Sequence, residues 1–446
     1  MPVDHPPVNR SPSWAPGRRR RSGPVVVVCL AAALVAIAAV VGLLLGDQVH
    51  AAAAPLYGHW WPHLGPGTPL SVLLGVAVAA HGPGLAQRWS WRALLLGTWG
   101  AALTWTTFLA LIDLSLQGFG APIATDEEYL WEVAGVRDIG RTLQEFTSRI
   151  LIDSPDAWVT HVAGHPPGAL LVFVLLDRVG LSGAGWGAAA CLGVGTSAVV
   201  AVLLTLRCLG NEETARRVAP FLVVAPAAIW VGVSADAIFM AVGAWGVTLL
   251  AVAGRHRSGV SAYGAGLLFG LVIYLSYGLV LLAPLALAVL LATRSARPLL
   301  LAVPGALTVA AAFTVGGFWW LDGYELVVQR YYQGWGGERP YLYWVWADLA
   351  ALAICVGPAT LAGASLVRQR WTRFPAAAAL GLAAAVSVTA ATLSGLSKAE
   401  VERIWLPFAL WLLPFAAFLP AQHHRRWLGA QVATAIAVNS LLLTRW

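Results

Sequence analysis

The chain reads as an all-α, polytopic membrane helical bundle of about 13 transmembrane helices with an outer loop that carries interfacial helices. Three observations lead there. Of 446 residues, 59% are hydrophobic and 11% are charged, whereas soluble domains carry about a quarter charged residues. The mean hydropathy is +0.72, and apolar runs of the roughly 20 residues that span a bilayer follow one another along the sequence. Arginines gather in the short turns between those runs, as orientation signals do.

Residues 1–23 are rich in Pro and Ser and include Arg18, Arg19, Arg20 and Arg21. They read as a disordered, basic cytoplasmic tail that holds the N-terminus inside. A cleavable signal peptide ending near Ala51 to Ala54 is the competing reading, but the apolar run 24–46 exceeds the usual h-region of about 7 to 15 residues. The remainder, 24–446, reads as a single transmembrane domain.

With the N-terminus inside, spans fall near 24–46, 69–86 and 93–115, with Arg88 and Arg92 in an inner turn. The polar segment 116–166 then lies outside and opens an extracytoplasmic loop, 116–183. The apolar stretch that follows, 167–179, is too short to span. Crossing there would also put the basic loop from Arg207 to Arg217 on the outer face, so the stretch is expected to be interfacial or re-entrant. Further spans are expected near 184–206, 218–234, 236–254, 262–277, 278–293, 298–320, 342–366, 375–394, 403–420 and 427–444. Every remaining inner turn then carries arginine: Arg207, Arg216 and Arg217; Arg255 and Arg257; Arg294 and Arg297; Arg368, Arg370 and Arg373; Arg425 and Arg426.

The formal charge of +7 is accounted for by these turns, so nucleic acid is not an expected partner. Cys29, Cys191, Cys208 and Cys355 form no CxxC pair and have no histidine at metal spacing, and they read as apolar filler.

Ionisable residues collected on one side of a membrane protein are candidate function, because charge against hydrocarbon costs several kcal/mol (roughly 3). The outer segment holds Thr125-Asp126-Glu127-Glu128-Tyr129 and ends in Gly164-His165-Pro166-Pro167-Gly168. A carboxylate at 126 could deprotonate an acceptor hydroxyl. Thr125 followed by Glu128 also has the form of a capping box, and the two readings are compatible. The prolines fix a rigid turn that aims His165. His161, four residues earlier, raises a metal-pair reading, which the intervening glycine and prolines disfavour.

Two other outer segments combine basic and aromatic residues. One runs from Gln329 through Arg330, Tyr331 and Tyr332 to Arg339; the other, 397–405, contains Arg403 and the chain's single lysine, Lys398. Such charges outside call for a reason, and a phosphate group of a lipid is a suitable one. Interface anchoring is the alternative for the first segment. Asp236, in Ser234-Ala235-Asp236, lies where one span ends outside and the next begins, as a site element or a helix cap.

This layout resembles the GT-C superfamily of integral-membrane glycosyltransferases, in the branch of protein O-mannosyltransferases and lipid A aminoarabinose transferases. Members carry an Asp-Glu pair and an aromatic residue in their first large outer loop, matched by Asp126-Glu127 and Tyr129. A His-Pro-Pro or Lys-Pro-Pro motif follows, matched by His165-Pro166-Pro167, and a later hairpin bears Ser-x-Asp, matched by Ser234-Ala235-Asp236. The match covers the order of elements from about 93 to 260, with the Arg403 segment beyond it.

The resemblance implies a GT-C-like bundle that transfers a sugar from a polyprenyl-phosphate-linked donor, with inversion, to an extracytoplasmic glycan, lipid or protein of the cell envelope. Asp126 would then be the general base and Glu127 its orienting partner. Tyr129, His165, Asp236, Arg330, Lys398 and Arg403 would bind substrate, the basic residues holding the carrier phosphate. No cofactor is fixed by the sequence, and the histidines and carboxylates permit a divalent metal without demanding one. Two features depart from the pattern. Two extra helices precede the acidic pair, and the large soluble C-terminal domain of some relatives is missing, which leaves acceptor recognition to the outer loops and the membrane cavity. The alanine- and arginine-rich composition suits a GC-rich bacterial genome. The alternative is a transporter or lipid flippase without covalent chemistry, for which repeated halves and mid-membrane charges are expected.

Overall fold

A computed structural model describes residues 23–113 and 120–444. The expected tail, but for residue 23, and the start of the polar segment therefore lie outside the described residues. The described chain is helical, with one two-stranded ribbon of His59–Trp60 and Leu442–Leu443 that pairs His59 with Leu443 and Trp60 with Leu442. The helices used below are α1 (Gly23–Leu45), α2 (Gly67–Arg88), α3 (Trp91–Ala110), α4 (Tyr129–Val133), α5 (Thr160–Ala163), α6 (Pro167–Arg178), α7 (Ala184–Thr196), α8 (Ala198–Leu209), α9 (Glu212–Val223), α10 (Ala235–His256), α11 (Gly259–Leu275), α12 (Ala283–Thr293), α13 (Leu299–Val315), α14 (Trp320–Gln333), α15 (Tyr341–Ala364), α16 (Pro375–Ser394), α17 (Val401–Ile404), α18 (Leu406–Leu412) and α19 (His424–Leu441).

Local sequence sets several starts. Ser90 Oγ accepts from Ala93 N at α3, Asn211 Oδ1 from Thr214 N at α9, and Ser258 Oγ from Ser261 N at α11. Each satisfies one of the orphan N–H groups of a first turn. Pro167 and Pro375 stand at first helical positions, where a missing N–H costs nothing.

Among the described residues seven helices are long and apolar enough to cross a membrane, or nine if each of two bent pairs is one span. The expected spans 262–277 and 278–293 are shorter pieces, α11 and a 3-10 turn (Tyr277–Leu282) leading into α12. The expected span 218–234 is broken into α9 and the short helix Ala228–Val231. The stretch expected to be interfacial or re-entrant forms the twelve-residue α6. The loop expected outside after 320 contains α14, bent 75° from α13.

α10 lies at the centre of the bundle, packed against α7, α8, α11, α12 and α18, while α1 rests on α15 alone among the long helices. The connections sort to two ends. At one, Arg216 donates to Ala86 O and Trp89 O, Arg217 to Ala417 O and Leu419 O, Arg370 to Phe418 O, and Arg373 meets Glu213. These are turns expected to face inward. At the other end the loops 47–66, 120–166, 334–340 and 395–405 touch one another.

Candidate functional site

The acidic segment makes a turn before α4, with Glu128 N donating to Thr125 O (3.1 Å). Glu128, in extended backbone, takes the N-cap position of α4 without a side-chain cap bond, so the capping box expected from Thr125 does not form. The turn divides the three carboxylates. Asp126 and Glu127 stay exposed, and Glu128 turns inward to 4% exposure.

What receives Glu128 is a buried cluster around Arg403. Its guanidinium lies 3.3 Å from Asp236 Oδ2, 3.3 Å from Glu400 Oε2 and 4.0 Å from Glu128 Oε1. Arg403 Nη2 also stands 3.1 Å from His161 Nε2. A guanidinium only donates, so Nε2 is the acceptor and Nδ1 carries the proton. That proton is given to Glu127 O (3.0 Å) and shared with Glu128 Oε1 (3.1 Å). Burial, and then the Arg403 charge, push the His161 pKa well below its usual value and keep the ring neutral.

The same burial pushes the Glu128 carboxyl up to about 7, against the pull of Arg403 and with further upward push from Asp236. Glu128 Oε2 is buried without a hydrogen-bond partner. Arg403 responds in the opposite sense. Burial opposes its charge, but Asp236, Glu400 and Glu128 outweigh burial and hold the guanidinium charged.

Asp236 reaches the cluster from the first turn of α10, where a carboxylate also suits the helix dipole. Ser234 Oγ accepts from Asp236 N and donates to Asp236 Oδ2, both at 3.2 Å. His165 donates from Nδ1 to His161 O (2.8 Å) and packs edge-on to Tyr129, with ring centres 5.8 Å apart. Burial lowers its pKa as well. Tyr129 is itself buried and stacks on Phe173 of α6.

The backbone around this cluster is strained. Val233, Ala399 and Glu400 have φ of 69°, 66° and 61°, in the left-handed region where a non-glycine residue costs of order 1–3 kcal/mol. External contacts hold them there. Asp348 Oδ1 of α15 accepts from Ala399 N (3.2 Å), and Arg339 clasps Glu400 (3.3 Å).

The expected phosphate ligands fare differently. Arg403 is buried and committed to three carboxylates. Lys398 is buried, with Nζ donating to Arg339 O (3.0 Å) and the Tyr331 and Tyr332 rings 5.8 and 6.0 Å away; burial and Arg339 lower its pKa. Arg330, on α14, keeps Nη1 without a hydrogen-bond partner. Thus Tyr129, His165, Asp236 and Arg403 are brought together, Asp126 and Glu127 lie on the exposed side of the same turn, and Arg330 and Lys398 belong to the neighbouring loops. Sequence reasoning missed Glu128 as the inward carboxylate and Glu400 as a partner of Arg403. It weighed His161 only as a metal ligand, and among the described residues no group of three or more His, Cys, Asp or Glu side chains is placed to hold a metal ion.

The chain matches no protein-family model, and no curated protein is similar to it in sequence. Among solved structures it is similar to the Archaeoglobus fulgidus oligosaccharyltransferase in complex with Zn and sulfate, at 16% identity and a TM-score of 0.45, over 78% of this chain and 53% of that one. It is also similar to the archaeal oligosaccharyltransferase AglB from Archaeoglobus fulgidus in complex with an inhibitory peptide and a dolichol-phosphate. There the identity is 16% and the TM-score 0.28, over 78% of this chain and 51% of that one. The chain spans about half the length of both.

Proposed function

We propose that the chain transfers a sugar from a polyprenyl-phosphate-linked donor to an extracytoplasmic acceptor, with inversion and with Asp126 as general base. One observation carries this reading. Arg403, Asp236, Glu128 and His161, far apart in sequence, lock the acidic turn in place while leaving the Asp126 and Glu127 carboxylates exposed on its outer side.

In the proposed reaction the acceptor oxygen attacks the anomeric carbon from the face opposite the phosphate. The new C–O bond forms as the bond to the phosphate oxygen breaks, the lipid phosphate departs with the electron pair, and the acceptor proton passes to Asp126. Glu127, on the same exposed turn, orients the acceptor. Arg330 is the proposed phosphate contact, because its buried Nη1 has no hydrogen-bond partner and can donate to an anion once the side chain swings out. Arg403 acts as the brace, since a phosphate would have to displace three carboxylates to reach it. Tyr129, His165 and Asp236 form the wall behind the turn.

The test is transfer by the full chain in liposomes that hold a panel of polyprenyl-phosphate sugars. Asp126→Asn should fold as the native protein does and lose about 10² to 10⁴ in rate, because an amide cannot accept the proton. Full transfer by that variant refutes the base assignment, and counterflow of substrate without covalent product supports transport instead.

Glu128 supplies a second reading, because a carboxyl pushed up to about 7 is matched to base catalysis near neutrality. In that case the rate rises with pH through about 7, Glu128→Gln abolishes it, and Asp126→Asn spares it.

A further inference from the structure

A cavity opens between α1, the loop that follows it and α19. It encloses about 910 Å³, at the upper end of the roughly 300–1,000 Å³ usual for small-molecule sites. Its walls are apolar and small, with Val35, Ala39 and Leu43 from α1, Ala52 from the following loop, and Val438 and Leu441 from α19. At one end the lining turns polar, with Asp47, His50, Tyr57 and His59.

We infer that this cavity holds the hydrocarbon chain of a lipid acceptor whose neutral, hydroxyl-bearing headgroup sits at His50 and Tyr57. This rests on the transferase reading above and names its acceptor class. Three features carry it. The first is access, since the α1 side of the cavity is open: Leu43 lines it and is 77% exposed. A chain can therefore enter sideways from the bilayer.

The second is charge. The polar end offers carboxylates, Asp47 in the lining and Glu338 paired with His50 at 2.9 Å. Among the described residues no lysine or arginine lines the cavity. The neighbouring Arg339 is buried and turns its Nη groups to Lys398 O, His50 O and Glu400. A phosphate would meet repulsion there, whereas hydroxyl groups find both donors and acceptors.

The third is continuity with the candidate site. Tyr57 N donates to Glu402 Oε1 (2.7 Å), and Glu402 immediately precedes Arg403. Glu400 is held on one side by Arg339 and on the other by Arg403. The cavity lining at Tyr57 thus touches, through one hydrogen bond, the segment that carries Arg403, which links a headgroup at the polar end to the Glu128 cluster.

The test uses the full chain in liposomes with a diacylglycerol carrying a photoactivatable group on its chain, and with the matching phosphatidic acid and a polyprenyl phosphate as competitors. Ala39→Trp fills the cavity and should cut diacylglycerol labelling about tenfold, the loss expected when an indole displaces about two methylenes. Ile37→Trp, on the outer face of α1 at 55% exposure, should leave labelling unchanged, and both variants should melt as the native protein does. Undiminished labelling of Ala39→Trp, or better competition by either phosphate lipid than by unlabelled diacylglycerol, overturns the proposal. Labelling is read without sugar donor, so it tests the cavity apart from the transfer. In the transfer assay Ala39→Trp should raise KM for the lipid acceptor and spare kcat, and an unchanged KM overturns the acceptor assignment.

Discussion

Arg403 faces Asp236, Glu400 and Glu128 in a space closed to solvent, so its removal strands carboxylates that burial alone would neutralise. Arg403→Met is expected to destabilise the protein by about 3–5 kcal/mol, the cost of leaving one side of a buried ion pair uncompensated. A thermal melt in detergent measures it, and a drop under 1 kcal/mol (about a fivefold change in the folded ratio) would show that the cluster braces nothing. Arg403→Lys should recover part of the loss, because one ammonium cannot reach all three carboxylates in the guanidinium's geometry. Sequence reasoning reached Arg403 through its charge on an outer segment and Asp236 through the Ser-x-Asp pattern. It gave Asp126 and Glu127 the catalytic roles and Glu128 only a capping one, and did not anticipate that Glu128 turns inward. Three successive acids carry no periodicity, and the one that turns inward is the one received by His161 and Arg403, side chains brought from distant segments, a tertiary outcome with no sequence signature.

At the scale of elements, the Gly164-His165-Pro166-Pro167-Gly168 turn shows why a motif can be legible while its purpose is not. The prolines announce a helix start, and α6 begins at Pro167. The need for Gly168 comes from another helix, since a Cβ there would lie 2.4 Å from Tyr274 O at the end of α11. Gly168→Ala should therefore push α6 off α11 and cost about 1–3 kcal/mol by overpacking. A melting temperature equal to that of the native protein would contradict the close approach. The expected span 218–234 met a related limit. Its apolar run was visible, but the helix stops at Val223, past the tolerated Pro220, and restarts at Ala228 beyond Pro226, with both flanks of the break buried. Hydropathy registers such a segment as continuous, since it measures solvation and not backbone hydrogen bonding.

For the whole molecule, the arginine turns were the most informative signal. The turns expected to face inward meet at one end through Arg216, Arg217, Arg370 and Arg373, and the expected outer loops meet at the other. Which end faces the cytoplasm is a matter for labelling. With the four native cysteines replaced, Asp126→Cys in right-side-out vesicles should react with a membrane-impermeant maleimide, and Arg257→Cys should react only after permeabilisation; the reverse pattern would invert the topology. The left-handed backbone at Ala399 and Glu400 bears on how such a bundle is completed. Nothing local favours that conformation, so the 398–403 segment keeps its shape only while Asp348 of α15 and Arg339 grip it. Released, it would relax to ordinary dihedrals and carry Arg403 away from Glu128. The ionic cluster therefore depends on contacts from α15 and from Arg339, and its integrity reports on packing at positions far from it in the chain.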